Sequence, residues 1–484
     1  MSARLSKLVK RTLGVDPEIT GVTADSRKVK PGFLFAALPG SKADGTAFAA
    51  KAVEAGAAAV IADQDLNLSV PTVICKDPRR GYALAAANFW GRQPQTCVAV
   101  TGTNGKTSVA NFCRQMFARA GHVSASMGTL GVTVSGPGDK HQQITPPGLT
   151  TPDAGDVAEL LMRIAQLGVT HFAMEASSHG IDQRRLDGVR LDAAGFLNLS
   201  QDHLDYHRTM DAYMKAKLRL FEQLMPRGAT AVLNADSDAF PFFAAASVVS
   251  GQRVMSVGET GQALKLVERS LLPDGQRLSI RAEGRMWDVR LPLAGGFQAS
   301  NALVAAGLCR AAGLSWEETF GGLEHLTGAP GRLQRVGAGP RGGEAYVDYA
   351  HTPDGLETVL TALRPHVRGR LIVVFGAGGD RDKAKRPLMG RAAAALADVA
   401  IVTDDNPRSE VPATIRAQVL AGAKGAKEIG DRREAIRAAT AMLRDGDILV
   451  VAGKGHEQGQ IMGDVVHPFD DVEETAQALE LVHG

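Results

Sequence analysis

At 484 residues the chain is about three domains long, taking roughly 100–200 residues per domain, and this excludes a single small binding module. Lys and Arg number 54 against 52 Asp and Glu, a formal net charge of +2, which excludes a nucleic-acid binder driven by bulk charge and leaves anionic small ligands open. Cys75, Cys97, Cys113 and Cys309 are scattered, no signal-peptide core follows the basic start MSARLSKLVKRTLG, and no run of about 18 apolar residues occurs, so a soluble cytosolic protein without a disulfide frame or structural zinc is expected.

In chain order, residues 1–93 read as a small mixed domain: short apolar strands broken by Pro-Gly turns in DSRKVKPGFLFAALPG, a helix in FAAKAVEAGA and a strand in AAAVIA. GRQPQ at 91–95 reads as a linker and hinge. From Thr96 the pattern repeats strand, Gly loop, helix: CVAVTG, then GTNGKTS, then VANFCRQMFARA as an amphipathic helix. HFAMEAS and LDAAGFLNLS are further buried strands of parallel-sheet type. Residues 253–293 read as an antiparallel appendage around PDG and AEG, followed by a helix in ASNALVAAGLCRAAG. GAPGRLQR near 328–335 is a second linker. Beyond it AYVDYA, RLIVVFGAGG, ADVAIVTDD and DILVVAGKG alternate with helices, a second α/β domain. The expected boundaries are 1–93, 94–328 and 329–484.

Chemistry concentrates in the loops after strands. Thr101-Gly-Thr-Asn-Gly-Lys-Thr107 lies between a buried strand and a helix, where backbone N–H groups can cradle phosphates, Lys106 can neutralise their oxygens and the Thr107 hydroxyl can reach Mg²⁺. The loop is shorter than the usual P-loop, and a plain Gly-rich turn is the alternative. Glu175, in Met174-Glu-Ala-Ser-Ser-His-Gly180, can hold a metal or cap a helix, and Ser177 offers a hydrogen bond to a polar substrate. His203, with Asp202 and Asp205, supplies metal ligands or solvated loop residues. Lys215, Lys217 and Arg219 read, taken alone, as the solvated face of a helix. In the last domain, Asp348-Tyr-Ala-His-Thr-Pro-Asp354, Gly378-Gly-Asp-Arg-Asp-Lys383, Asp404-Asp-Asn-Pro-Arg408 and Ala452-Gly-Lys-Gly-His-Glu457 put four polar loops at one sheet edge. Arginines there suit carboxylates or phosphates, and Glu457 suits an ammonium.

With DSR…PGFLFAALPG, GTNGKT, LTTP, EASSHG, NLSQDHLDYH, the lysine helix, VDYAHTPD, GGDRDK, DNPR and GKGHE in order, nearly the whole chain resembles the Mur ligases, ATP-dependent amide-forming enzymes of peptidoglycan precursor assembly. The resemblance implies three α/β domains: a small N-terminal domain for the UDP-muramoyl nucleotide, a central P-loop-type ATPase domain with a mostly parallel sheet, and a C-terminal Rossmann-like domain for the incoming amino acid. Within the family the chain is similar to members that add the third amino acid to UDP-N-acetylmuramoyl-L-alanyl-D-glutamate. Carried over by position, Ala24, Ser26, Ser41, Lys42 and Ala43 match the uridine end, and Thr150, Thr151, Ser177, Gln183 and Arg185 the muramoyl-dipeptide. Gly102, Thr103, Asn104, Gly105, Lys106, Thr107 and Ser108 match the ATP phosphate loop, and Asn301, Arg332 and Asp348 the surroundings of adenine, phosphate and ribose. Lys217 matches a lysine that the family carbamylates to N6-carboxylysine. As a carbamate it would bind Mg²⁺ together with Thr107, Glu175 and His203, and Lys106 would share the catalysis.

In this family DNPR accompanies meso-diaminopimelate, so Arg381, Asp405, Asn406, Pro407, Arg408, Gly453 and Glu457 are expected to hold that amino acid. The physical reason is that diaminopimelate ends in a carboxylate and an ammonium, whereas lysine ends only in an ammonium, leaving Arg408 uncompensated. Gln298, Gln201, Ser108 and Ala377 depart from common family residues without removing a required charge. The expected partners are small molecules, with no nucleic acid or integral membrane association, and the expected state is a cytoplasmic monomer. Folylpolyglutamate synthase, of the same superfamily, and a non-ligating nucleotide switch are the rival readings; the first domain and DNPR argue against the former, and Glu175, His203 and Lys217 against the latter.

Overall fold

The computed structural model describes residues 1–40, 44–136, 140–145, 150–272 and 274–481. They form two compact units, one of Met1–Leu266 with Arg281–Arg285 and Ala302–Gly322, the other of Val267–Ile280, Met286–Asn301 and Leu323–Gly484.

The first unit carries two main sheets. Four parallel strands, β1 (Gly21–Thr23), β2 (Phe33–Ala36), β3 (Ala59–Ala62) and β4 (Thr72–Ile74), lie in chain order. Every residue of β3 is buried, as a continuous apolar run requires when both sheet faces are covered. Helix α1 (Pro78–Trp90) opens on Asp77, whose carboxylate accepts from the Arg80 N–H at 3.0 Å, has proline in its first turn, and stops at Gly91 with φ +69°. It packs on α3 (Ala154–Gln166) of the central region, where the Tyr82 hydroxyl donates to Asp153 at 2.8 Å. Between α1 and the next strand, the Gln93 amide exchanges hydrogen bonds with the backbone of Arg190 at 3.0 and 3.2 Å.

Eight of the eleven strands of the central sheet run in the order β8-β7-β6-β9-β5-β10-β11-β12. These are β5 (Thr96–Thr101), β6 (Ser124–Gly128), β7 (Gly131–Gly136), β8 (Lys140–Thr145), β9 (His171–Glu175), β10 (Ala193–Phe196), β11 (Thr230–Asn234) and β12 (Arg253–Gly258). The six from β6 to β12 in this order are parallel, and β7 and β8 form an antiparallel edge. The expectation of an antiparallel appendage from residue 253 is corrected at its start. Arg253–Gly258 follows a helix that crosses over from β11 and so lies parallel to it, and Val257 pairs in parallel with Leu264 at the start of β13 (Leu264–Leu272). Helix α2 (Lys106–Arg119), expected to be amphipathic, is buried at every residue from Ser108 to Ala118 except Gln115, because sheet strands cover one side and Ala305 of a later helix approaches Cys113 on another.

In the second unit a six-stranded sheet has the order β16-β17-β21-β18-β19-β20. The strands β14 (Gly275–Ala282) and β15 (Arg285–Leu291) precede its members β16 (Gln334–Ala338), β17 (Glu344–Asp348), β18 (Leu371–Phe375), β19 (Val399–Val402), β20 (Lys427–Glu428) and β21 (Ile448–Ala452). Only β16 runs antiparallel. The carboxyl ends of β17, β21, β18 and β19 therefore share one edge, as the four polar loops predicted. All four cysteines are buried and free, and no helix among the described residues is long and apolar enough to cross a membrane.

Candidate active site

Strand β5 delivers the Gly-rich loop expected to cradle phosphates. Its last residue, Thr101, leads into Gly102–Gly105, and α2 begins at Lys106, so the free N–H groups of a helix start point into the loop. A Cβ on Gly102 would stand 2.9 Å from Leu197 Cβ, and Gly105 enters the helix at φ +90°. Asn198 pins the loop from the end of β10: its side chain accepts from Asn104 N at 2.9 Å and donates to Asn104 O at 3.2 Å, and its carbonyl accepts from Thr103 N at 3.0 Å. The Thr103 hydroxyl meets the Ser200 backbone at 3.0 and 3.2 Å and the Tyr213 hydroxyl at 3.3 Å. Thr107 and Ser108 occupy the first turn of α2, and the hydroxyl of Thr101 is buried without a hydrogen-bond partner among the described residues.

Two lysines converge on this loop. The Lys106 ammonium donates to the carbonyls of Gly102 at 2.9 Å and Thr103 at 2.8 Å, and Lys217 donates to the same Gly102 carbonyl at 2.8 Å. Lys217 is 1% exposed, on α4 (Met210–Arg219), with its Nζ 4.3 Å from the centroid of the Tyr213 ring. Burial first, and the charge of Lys106 second, hold its pKa well below the ordinary lysine range, favouring the neutral amine. The solvated-face reading of this helix fits Lys215 alone, which pairs with Asp211 at 2.7 Å on the surface; Arg219 is buried and grips Asp187 through two nitrogens at 2.9 and 2.5 Å.

Glu175 ends β9, paired with Val100 of β5, so its carboxylate and the phosphate loop sit at neighbouring strand ends. It is buried, and accepts from the Thr129 N–H at 2.8 Å and the Thr129 hydroxyl at 3.5 Å. Thr150 meets Thr129 hydroxyl to hydroxyl at 2.9 Å; Thr151 does the same with Ser177 at 2.9 Å and donates to the Glu175 carbonyl at 3.2 Å. Arg185 donates to Thr151 O at 2.5 Å and to Gln183 Oε1 at 2.7 Å. Five of the expected muramoyl-dipeptide residues thus form one hydrogen-bonded patch around Glu175. Ser177 also caps a short helix by accepting from Gly180 N at 3.1 Å.

His203 is exposed, at φ 53°, 3.4 Å from the Asp202 carboxylate and with its ring 4.8 Å from that of His179. Among the described residues no three His, Cys, Asp or Glu side chains converge on a metal position. The expected set of Thr107, Glu175, His203 and Lys217 therefore gains enough hard donors only if Lys217 carries an oxygen-bearing group. Farther along the first unit, Ala24 and Ser26 follow β1 in a turn capped by Asp25, which accepts from Arg27 N at 3.0 Å. Ser41, Lys42 and Ala43 lie outside the described residues.

The second unit places the remaining expected residues on its carboxyl edge, except Asn301, which lies in the helix Gly296–Ala311. Asp348 ends β17, buried; its two oxygens accept from Leu333 N at 2.6 Å and Ala350 N at 2.8 Å. Burial outweighs these bonds and the nearby Arg332 and pushes the carboxyl up to about 6. The Arg332 guanidinium lies 4.7 Å from the centroid of the Tyr349 ring. Asn301 is buried and donates to Gln298 at 3.2 Å, so the departure at 298 orients the retained asparagine.

Around DNPR, Asp405, Asn406 and Pro407 are buried and Arg408 is half-buried in the left-handed region at φ 52°. Arg408 Nη1 donates to Gly379 O at 2.8 Å and lies 3.5 Å from Asn406 O, while its other nitrogens form no hydrogen bond among the described residues. Glu457 accepts from Asn406 Nδ2 at 2.8 Å and lies 3.4 Å from the Lys454 ammonium. A Cβ on Gly453 would fall 2.7 Å from Asp405 Oδ2. Arg381 is exposed on the GGDRDK loop.

Sequence reasoning missed Asn198, Tyr213, Thr129 and Lys454. Asn198 and Lys454 lie inside the motifs NLSQDHLDYH and GKGHE, where their polar side chains are the signal; Tyr213 and Thr129 act through contacts that only folding creates. The single-residue reading also missed Arg432, fully buried, whose guanidinium grips Asp471 at 2.7 Å on two nitrogens and the Ala452 carbonyl at 3.0 Å, fixing the end of β21.

A lysine-bearing phosphate loop at the edge of one parallel sheet, with a mouth of cations and carboxylates at the edge of another, defines a nucleotide-dependent enzyme acting on small charged substrates. Three family models match in order: "Mur ligase family, catalytic domain" at 18–87, "Mur ligase middle domain" at 100–309 and "Mur ligase, glutamate ligase domain" at 331–455. The chain belongs to the Mur ligase family. It is 68% identical, over 99% of each chain, to a Caulobacter vibrioides protein named UDP-N-acetylmuramoyl-L-alanyl-D-glutamate–2,6-diaminopimelate ligase. A Brucella melitensis protein of the same name is 54% identical, over 96% of this chain and 94% of that one. A solved structure of a ligase with that name matches with TM-score 0.77 at 33% identity, covering 100% of both chains.

Proposed function

We propose that the chain joins meso-diaminopimelate to UDP-N-acetylmuramoyl-L-alanyl-D-glutamate with cleavage of ATP to ADP and phosphate, forming the UDP-muramoyl-tripeptide of peptidoglycan synthesis. The observation that carries this reading is the match over 99% of both chains to a relative named for that reaction. In this reading residues 1–93 take the nucleotide sugar, 94–328 take ATP and 329–484 take the amino acid, and the enzyme works in the cytoplasm, where ATP is made.

Lys106 draws the β- and γ-phosphate oxygens to the loop, and the backbone N–H groups of 102–108 hold them without reorganisation. Thr150, Thr151, Ser177, Gln183 and Arg185 orient the muramoyl-dipeptide so that its D-glutamate side-chain carboxylate attacks the γ-phosphorus, giving an acyl phosphate and ADP. The neutral amine of diaminopimelate then attacks the acyl carbon and phosphate leaves. The unused edge of the Arg408 fork suits the distal carboxylate, and Glu457 suits the distal ammonium.

Lys217 fits carbamylation. Its neutral amine can add CO₂ with loss of a proton, which would place an anion beside the Lys106 ammonium at the Gly102 carbonyl. Thr107, Glu175, His203 and that carbamate would hold Mg²⁺, which when bound neutralises charge on the transferring phosphoryl group.

The test is mass analysis of the nucleotide product after incubation with ATP, the UDP-dipeptide and either diaminopimelate or lysine. The reading expects a product heavier by diaminopimelate less water, and little lysine adduct. Equal incorporation of lysine would overturn the amino-acid assignment, and ATP cleavage without a nucleotide adduct would overturn the ligase reading.

A further inference from the structure

The loop carrying Arg381 and the loop carrying Arg408 are braced from behind by an ion pair between the buried Arg386 and the partly buried Glu410, outside the expected site. Arg386, in the first turn of α5 (Lys385–Leu396), is 0% exposed. Its Nη2 donates to Glu410 Oε1 at 2.8 Å and Gly378 O at 3.1 Å, and its Nη1 to Glu410 Oε2 at 3.0 Å and Gln418 Oε1 at 2.7 Å. Glu410 also accepts from Asp380 N at 2.7 Å, and Asp380 in turn accepts from Ser409 Oγ at 2.7 Å and Ser409 N at 3.2 Å. Gly379 N donates to Asn406 O at 2.9 Å, and its Cα lies so close to Pro407 that an added Cβ would fall 1.9 Å from the Pro407 carbonyl oxygen.

One guanidinium thus ties the GGDRDK backbone to the carboxylate that closes the DNPR segment. Arg408 Nη1 rests on Gly379 O, one residue from the carbonyl that Arg386 holds, so a shift of Glu410 moves the support of Arg408 as well as its chain neighbour. Bidentate Arg–carboxylate geometry fixes direction as well as distance, and lysine or an amide cannot reproduce it.

We propose that Arg386 and Glu410 are positioning residues for amino-acid selection: they hold Arg408 in place, so that a substrate bearing a distal carboxylate is preferred over one bearing only a distal ammonium. This rests on the reading that Arg408 meets the distal carboxylate of diaminopimelate. A site built to pair a charged group rejects an analogue lacking it only while its own group stays in place.

The test compares kcat and KM for diaminopimelate and lysine in the full-length enzyme and in Glu410→Gln, Glu410→Asp and Arg386→Lys. The expected result for Glu410→Gln and Arg386→Lys is a KM for diaminopimelate raised about tenfold or more, with kcat within about twofold and KM for ATP and the UDP-dipeptide unchanged. The preference for diaminopimelate over lysine should fall by a similar factor, with partial recovery in Glu410→Asp. A purely structural brace would lower kcat/KM for both amino acids equally and leave the preference intact; that result, or an unchanged preference at wild-type melting temperature, overturns the proposal. A wild-type enzyme that does not distinguish the two amino acids overturns the underlying reading as well, so the two failures are told apart by the wild-type control.

Discussion

Lys217 shows how far a residue's meaning depends on where folding puts it. Its neighbours Lys215 and Arg219 carry the same formal charge, yet one pairs on the surface, one is buried against a carboxylate, and Lys217 is buried beside a second ammonium. Helical spacing alone could not separate them, because the relevant partners, Gly102 and Tyr213, come from a loop 115 residues away and from the preceding turn. If its carbamate serves the phosphoryl transfer, Lys217→Ala should lower kcat about 10²–10³-fold or more, with partial rescue by a short carboxylic acid such as formate or acetate, read as ADP formation. Rescue by a short amine instead would contradict the carbamate. Asp348 gives a pH test. Its folded-state carboxyl titrates near 6 against an ordinary 3.8, so the folded state binds the proton more tightly; the stability from this group is full below about 4 and is lost as pH rises through about 6. Denaturant unfolding of Asp348→Asn should therefore shift in the variant's favour, relative to wild type, by on the order of 2 kcal/mol between pH 4 and pH 7. A difference that does not change with pH would contradict it.

At the scale of elements, the parallel strands were legible because they are continuous apolar runs ending in Gly-rich or polar loops, and the site residues sit on those ends. The direction of the strand at 253–258 is not legible in the sequence, because a short run of mixed residues gives none; its orientation comes from the crossover helix before it. The burial of α2 was also hidden, since periodicity reports one face and cannot count the neighbours on the other. Packing between elements yields two predictions. A Cβ at Gly128 would lie 1.8 Å from Glu175 Oε1, so Gly128→Ala should displace the carboxylate and reduce kcat about 10²-fold or more while the protein still folds, checked by circular dichroism beside turnover. Arg432→Ala would leave Asp471 buried and unpaired and should cost about 3–5 kcal/mol in denaturant unfolding. A loss below about 1 kcal/mol would mean that Asp471 is solvated.

For the whole molecule, length and near-neutral charge bounded the answer without naming it. The +2 balance conceals Lys106, Arg185 and Arg408 in loops suited to anionic substrates, and the proposed carbamate on Lys217 would lower it to about 0. What the sequence showed of the site came from ordered motifs at strand ends; what it hid, the Arg386–Glu410 brace and the Asn198 clamp on the phosphate loop, depends on loops meeting in three dimensions. The central claim is that ATP cleavage is coupled to joining two other substrates. Phosphate release should be measured with ATP, the UDP-muramoyl-dipeptide and diaminopimelate together, and again with each omitted. Sustained release is expected only in the complete mixture; sustained release without the dipeptide, or release indifferent to diaminopimelate, would contradict this coupling.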